Sequence, residues 1–153
     1  MDQSATLILH FTQDGDGTGK LSATAHADGF AGTGSAWFSC GNVLDFAEAL
    51  TRIPVPTAPA LELAGGFWSD TLRGTLEQEH LALRVCPLNS RGHIGIQVRL
   101  ATERGPHDPS ESQCMVRLVL RTTYAALVPL SMQLKALVEG RIHEVRVEAQ
   151  DIP

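Results

Sequence analysis

Hydrophobic and polar residues alternate with period two along most of this chain, and that period marks half-buried strands. In "ATLILHF", Ala5, Leu7, Leu9 and Phe11 share one face, and Thr6, Ile8 and His10 share the other. In "LSATAHA", Leu21, Ala23, Ala25 and Ala27 oppose Ser22, Thr24 and His26. Matching the apolar faces predicts a hairpin that pairs Phe11 with Leu21, Leu9 with Ala23 and Leu7 with Ala25. A one-residue slip turns one apolar set to water, so the register is well specified.

The hairpin loop, "QDGDGTG" at 13–19, has the look of a calcium loop, with Asp14, Asp16 and Thr18 at alternate positions. A calcium loop of that type closes with a glutamate at its twelfth position and is flanked by helices. Counted from Asp14, the twelfth residue is Ala25, and the flanks alternate as strands. Asp-Gly repeats also form hairpins, because both residues accept positive φ. A turn is therefore expected over 14–21 rather than a metal site. A phosphate loop fails too: Asp14 replaces its first glycine and Leu21 its Ser/Thr.

Further along, "SAWFSC" reads as a third strand. A helix follows, with Asn42 as N-cap and Val43, Phe46, Ala47 and Leu50 as its apolar stripe. "IPVPTAP" forces extended chain, and "LELAGGFW" reads as a strand interrupted by a Gly-Gly bulge or bend. "EHLALRVC" and "HIGIQVRLA" predict a second hairpin that pairs Val85 with Ile94, places Cys86 opposite His93 and leaves "PLNSRG" as its loop. A polar loop, "TERGPHDPSES", leads to the strand "CMVRLVLR". Thr122 or Thr123 caps a second helix with Leu127, Leu130, Leu134, Leu137 and Val138 inward. Pro129 costs about 3 kcal/mol inside a helix, so that helix starts near Ala126 or kinks. Gly140 stops it, and "IHEVRVEA" adds a last strand. The pattern predicts a single α+β domain over 1–153: an antiparallel sheet of about six to eight strands with two helices packed on one face.

Composition narrows the partners. The net charge of −5 argues against nucleic acid and anionic membranes. Cys40, Cys86 and Cys114 are odd in number and widely spaced, so neither a disulfide framework nor a zinc knuckle is indicated. "MDQSATLILH" has no basic stretch ahead of its apolar run, which is short for a signal peptide. A reducing cytoplasmic setting is the expectation.

Chemistry has few places to reside. Cys40 ends a strand and precedes a helix, as a nucleophile on such a turn does, yet "FSCGN" lacks the leading glycine of a nucleophile elbow. The six histidines form no HxH, HxxxH or HExxH spacing, so no metal or cofactor is expected. Trp37, Phe67 and Trp68 suit either core packing or a ligand pocket. Sorting strand faces puts His10, His26, His80, Arg84, His93, Arg99, Arg117 and Arg121 on the non-core side. An acidic protein then presents an Arg/His-lined sheet face, which serves either as plain solvated surface or as a partner site.

The order of "GSAWFSCGNVLDFAEALTRIP", "EHLALRVCP", "GHIGIQVRLA" and "VLRTTYAALVPLSMQLKALVEG" resembles small bacterial immunity proteins of polymorphic toxin systems, the WapI-like proteins among them. The resemblance covers roughly residues 35–140, through Leu44, Phe46 and Leu50 on the first helix and the Gly92-His93 turn. It implies a cytoplasmic, non-enzymatic protein that neutralises a toxin by surface contact. The expected partner-binding residues are Arg84, Arg99, Arg117 and Arg121, facing a toxin or a second copy as a homodimer. The alternative is a small enzyme or ligand-binding protein using Cys40 or a pocket lined by Trp37 and Trp68.

Overall fold

Among the described residues, eight antiparallel strands divide evenly between two sheets, where the sequence pattern suggests one. The structure is a computed structural model describing residues 5–150; the first four residues of the "MDQSATLILH" reading lie outside the described residues, as do 151–153. The first sheet has the order β3-β2-β1-β8 and the second β4-β5-β6-β7. Their ranges are β1 Thr6–Gln13, β2 Thr18–Ala27, β3 Phe30–Ser39, β4 Leu61–Trp68, β5 Leu76–Pro87, β6 His93–Ala101, β7 Met115–Thr123 and β8 Val145–Glu148. Helices α1 (Cys40–Ala49) and α2 (Tyr124–Val138) complete the α+β fold. Among the described residues, no helix is long and apolar enough to cross a membrane.

The split into two sheets follows from small residues. β3 packs across β4–β7 instead of joining their edge. Its inner positions Gly32, Gly34 and Ala36 let the backbones approach. A Cβ on Gly34 would sit 3.0 Å from the His80 carbonyl oxygen and 3.3 Å from Leu100 Cβ. The second sheet supplies Leu81, Leu83, Val85, Ile96, Val98, Leu100, Leu118 and Leu120 to the core, all buried. Each helix touches strands of both sheets: α1 packs on β3 and β4, and α2 on β1, β7 and β8. The helices are joined by Ser131 Oγ, which donates to the Ala47 carbonyl at 2.6 Å.

The first hairpin has the expected register: Phe11 pairs Leu21, Leu9 pairs Ala23 and Leu7 pairs Ala25. The second is two residues off. Val85 pairs Ile96, Pro87 pairs Ile94, and Cys86 lies opposite Gly95, not His93. A shift of two keeps every side chain on its face, so turn chemistry decides between registers. Asn89 Oδ1 accepts from the Arg91 amide at 2.8 Å, and the Leu88 amide donates to the His93 carbonyl at 2.8 Å, closing a tight turn over 88–92.

Helix ends also differ from expectation. Ser39, not Asn42, caps α1, its hydroxyl accepting from the Asn42 amide at 3.0 Å. α2 begins at Tyr124, so Pro129 lies inside the helix rather than in its first turn. Gly140 ends α2 as expected, with φ of +77°, and the Arg141 amide returns to the Ala136 carbonyl.

Candidate functional site

Side chains alternate across a strand, so the outward positions of the second sheet follow from its register. Arg84 lies between Glu62 and Gln97, with Val119 beyond Gln97. Arg99 lies between Ala82 and Arg117, and Arg121 opposes Gly95. The four arginines therefore share one outer face.

They are not equivalent. Arg99 Nη2 donates to Glu79 at 2.8 Å and to Glu62 at 3.0 Å, and Arg99 Nη1 donates to Gln97 at 3.1 Å. The Glu79 hydrogen bond, assisted by the charges of Glu79 and Glu62, raises the Arg99 pKa above its ordinary value despite partial burial. Arg99 thus serves the sheet's own ion network. Arg84, Arg117 and Arg121 form no ion pair among the described residues, and Arg117 and Arg121 are exposed.

An apolar strip runs between these arginines. Leu88 folds over Gly95, where a Cβ would lie 2.9 Å from Leu88 Cδ2 and 3.5 Å from Val119 Cγ1. Leu88 and Val119 are each more than 40% exposed, and Met115, farther along β7, is 73% exposed. Apolar groups framed by arginine are what interfaces concentrate. The signal lies in "CMVRLVLR", whose outward positions are Met115, Arg117, Val119 and Arg121, a mixed set that plain solvation does not require.

His80 is not on this face. The β4–β5 register shifts between Gly65 and Gly66, which pair with Leu81 and Glu79. His80 is the extra residue of that bulge and is buried, 2% exposed. Its ring meets Phe67 edge-on at 4.5 Å and bonds Gln78. Gln78 in turn clamps the Arg104 backbone, accepting from its amide at 2.7 Å and donating to its carbonyl at 3.1 Å. The clamp anchors the start of the 102–114 loop.

Burial lowers the His80 pKa below its ordinary 6.5, against an opposing pull from Glu103. Below pH 6.5 the unfolded chain then binds a proton that folded His80 resists, so stability falls as pH falls through that range. The expected slope is at most about 1.4 kcal/mol per pH unit for one proton. Urea midpoints at decreasing pH should show this loss in the wild type and a smaller one in His80→Gln; equal losses would remove His80 as its source.

Outward histidines include His10, 3.3 Å from Glu144, and His26. His93 Nδ1 is 2.8 Å from Asn89. Among the described residues, no three His, Cys, Asp or Glu side chains gather to hold a metal. Asp16 is committed to the hairpin turn, accepting from the Thr18 amide at 3.0 Å and hydroxyl at 2.6 Å. Those bonds hold its carboxyl below the ordinary range. Cys40 begins α1, and its sulfur accepts only a 3.6 Å contact from Gln13 Nε2.

Trp37 and Trp68 do come together. They line one groove of about 490 Å³ between β3, α1 and β4, with Phe46 and Leu63 also lining it and Asp45 and Glu62 adding carboxylates. No protein-family model, curated protein or solved structure matches the chain.

Proposed function

We propose that this protein is a non-enzymatic cytoplasmic binding protein that engages a protein partner through the outer face of its second sheet, in the manner of an immunity protein that neutralises a toxin by contact. One observation carries the reading: Arg84, Arg117 and Arg121 surround an exposed apolar strip of Leu88 and Val119. Arginine suits bidentate pairing with carboxylates, so the face fits an acidic partner surface. The free thiols of Cys40, Cys86 and Cys114 fit a reducing compartment.

The test is capture of partners from the native host by the wild type and by Arg117→Glu/Arg121→Glu. Both positions are exposed, so the double variant should fold normally and lose the partner. Wild-type binding should also weaken with salt, because exposed charges are screened beyond about 8–10 Å. Capture of the same partners by both proteins refutes the reading. Arg99 is unsuited to this test, since reversing it leaves Glu62 and Glu79 facing a third carboxylate.

The Trp37/Trp68 groove supports a second reading, a small-ligand site. Two exposed indoles and the Asp45 carboxylate suit a cationic ligand. Cys40 gains no support, since the hydrogen-bond contact of its sulfur is to the Gln13 amide, which is no base.

A further inference from the structure

We infer that the free edge of β7 is a strand-addition site for an extended partner segment with an apolar–acid–apolar pattern at alternate positions. The inference rests on the reading of the second sheet as a partner-binding face, and it names how the partner is held.

β7 is the last strand of its sheet. In a strand, the N–H and C=O of one residue point to the same side, and the side alternates along the chain. The Cys114 carbonyl accepts from the Thr102 amide, so even-numbered residues bond toward β6. The Arg121 carbonyl instead accepts from the Gln150 amide, on the side away from β6. Odd-numbered residues of β7 therefore aim their backbone groups at the open edge. The chain at Gln150 covers the Arg121 end. Met115, Arg117 and Val119 find no edge partner among the described residues.

The same odd residues carry the outward side chains Met115, Arg117, Val119 and Arg121. An added strand places its residues directly opposite these, on the same face. Opposite Arg117 it meets an unpaired cation, and opposite Met115 and Val119 it meets apolar positions. Phe30, 64% exposed, lines a cleft of about 400 Å³ together with Arg117, Val119 and Arg121. Asp28 is the one acid on this cleft. Charge also decides against a second copy. In a two-fold antiparallel pairing of the open stretch, centred on Arg117, the Arg117 side chains of the two chains face each other, and like charges directly opposite are destabilising. The edge thus rejects itself and accepts an acidic strand.

Amide hydrogen exchange reads the edge directly. The probe is a terminally blocked heptapeptide, Thr-Val-Ile-Glu-Ile-Val-Thr, and its control carries lysine in place of the glutamate. In the free protein, Met115, Arg117 and Val119 should exchange at least about tenfold faster than Val116, Leu118 and Leu120. Saturating glutamate peptide should slow the three odd amides alone, and the lysine peptide should not. Val119→Pro removes only an edge-facing N–H, a position where a strand tolerates proline. It should keep the wild-type fold and lose both peptide and partner.

Arg117→Val removes the like-charge pair at the centre of the self-pairing. It should therefore dimerise at concentrations where the wild type and Arg117→Glu/Arg121→Glu are monomers. Equal protection by both peptides, protection of the even residues, or a monomeric Arg117→Val variant overturns the inference. Loss of partner in Arg117→Glu/Arg121→Glu with full capture by Val119→Pro leaves the face as the binding surface and removes the edge. If no partner depends on the face at all, the peptide and dimer results still decide the edge on their own.

Discussion

Gly66→Ala should cost more than about 3 kcal/mol and abolish the bulge that organises one end of the second sheet. A Cβ there overlaps the Gln78 carbonyl oxygen, lies 2.9 Å from its carbon and 3.0 Å from the His80 nitrogen. All three atoms are backbone, so no rotamer change relieves the overlap. Pushing β5 away also moves His80 and releases the Gln78 amide from Arg104. Gly41→Ala is the matched control. Its Cβ meets nothing within 4 Å, in the first turn of α1, and should be neutral or stabilise by up to about 1 kcal/mol. Urea denaturation of the two variants measures the contrast, and comparable stabilities would mean that the β4–β5 bulge is not as described.

Ile96→Ala should cost about 2–5 kcal/mol through lost transfer energy and the cavity left behind. Ile96 is 2% exposed and sits between Val85 and Leu120 on the inner face of the second sheet. Gln97, the next residue, points outward beside Arg84 and accepts from Arg99. Gln97→Ala should cost about 0.5 kcal/mol, the scale of a surface change. Equal costs would mean that both faces of the sheet are covered, leaving no outer face to bind anything.

Period two says which residues of a strand are core, and it was enough for the β1–β2 register and for the shared face of Arg84, Arg99, Arg117 and Arg121. It cannot say how many sheets share that core. The division here rests on Gly32 and Gly34 lying against Leu100 and Val116, which are distant in sequence. It is equally blind to a two-residue slip, so Val85 is assigned to Ile94 instead of Ile96 unless the Asn89 turn is weighed. His80 fails for another reason. Counting back from Leu81 puts it outside, but the bulge opposite Gly65 and Gly66 flips the parity. The Gly-Gly pair was the visible sign of that bulge. The ion network around Arg99 joins β4, β5 and β6, and the Trp37/Trp68 groove needs the sheets stacked. Neither is a local pattern.

Hydroxyl-radical footprinting of the protein with its captured partner separates the two binding surfaces most directly. Met115 and Leu88 report the outer face of the second sheet, and Trp37 and Trp68 report the groove between β3, α1 and β4. All four side chains are at least 42% exposed in the free chain, so each can register a partner. The account predicts that the partner shields Met115 and Leu88 from oxidation and leaves both tryptophans as reactive as in the free protein. Shielded tryptophans beside an unchanged Met115 and Leu88 would contradict it.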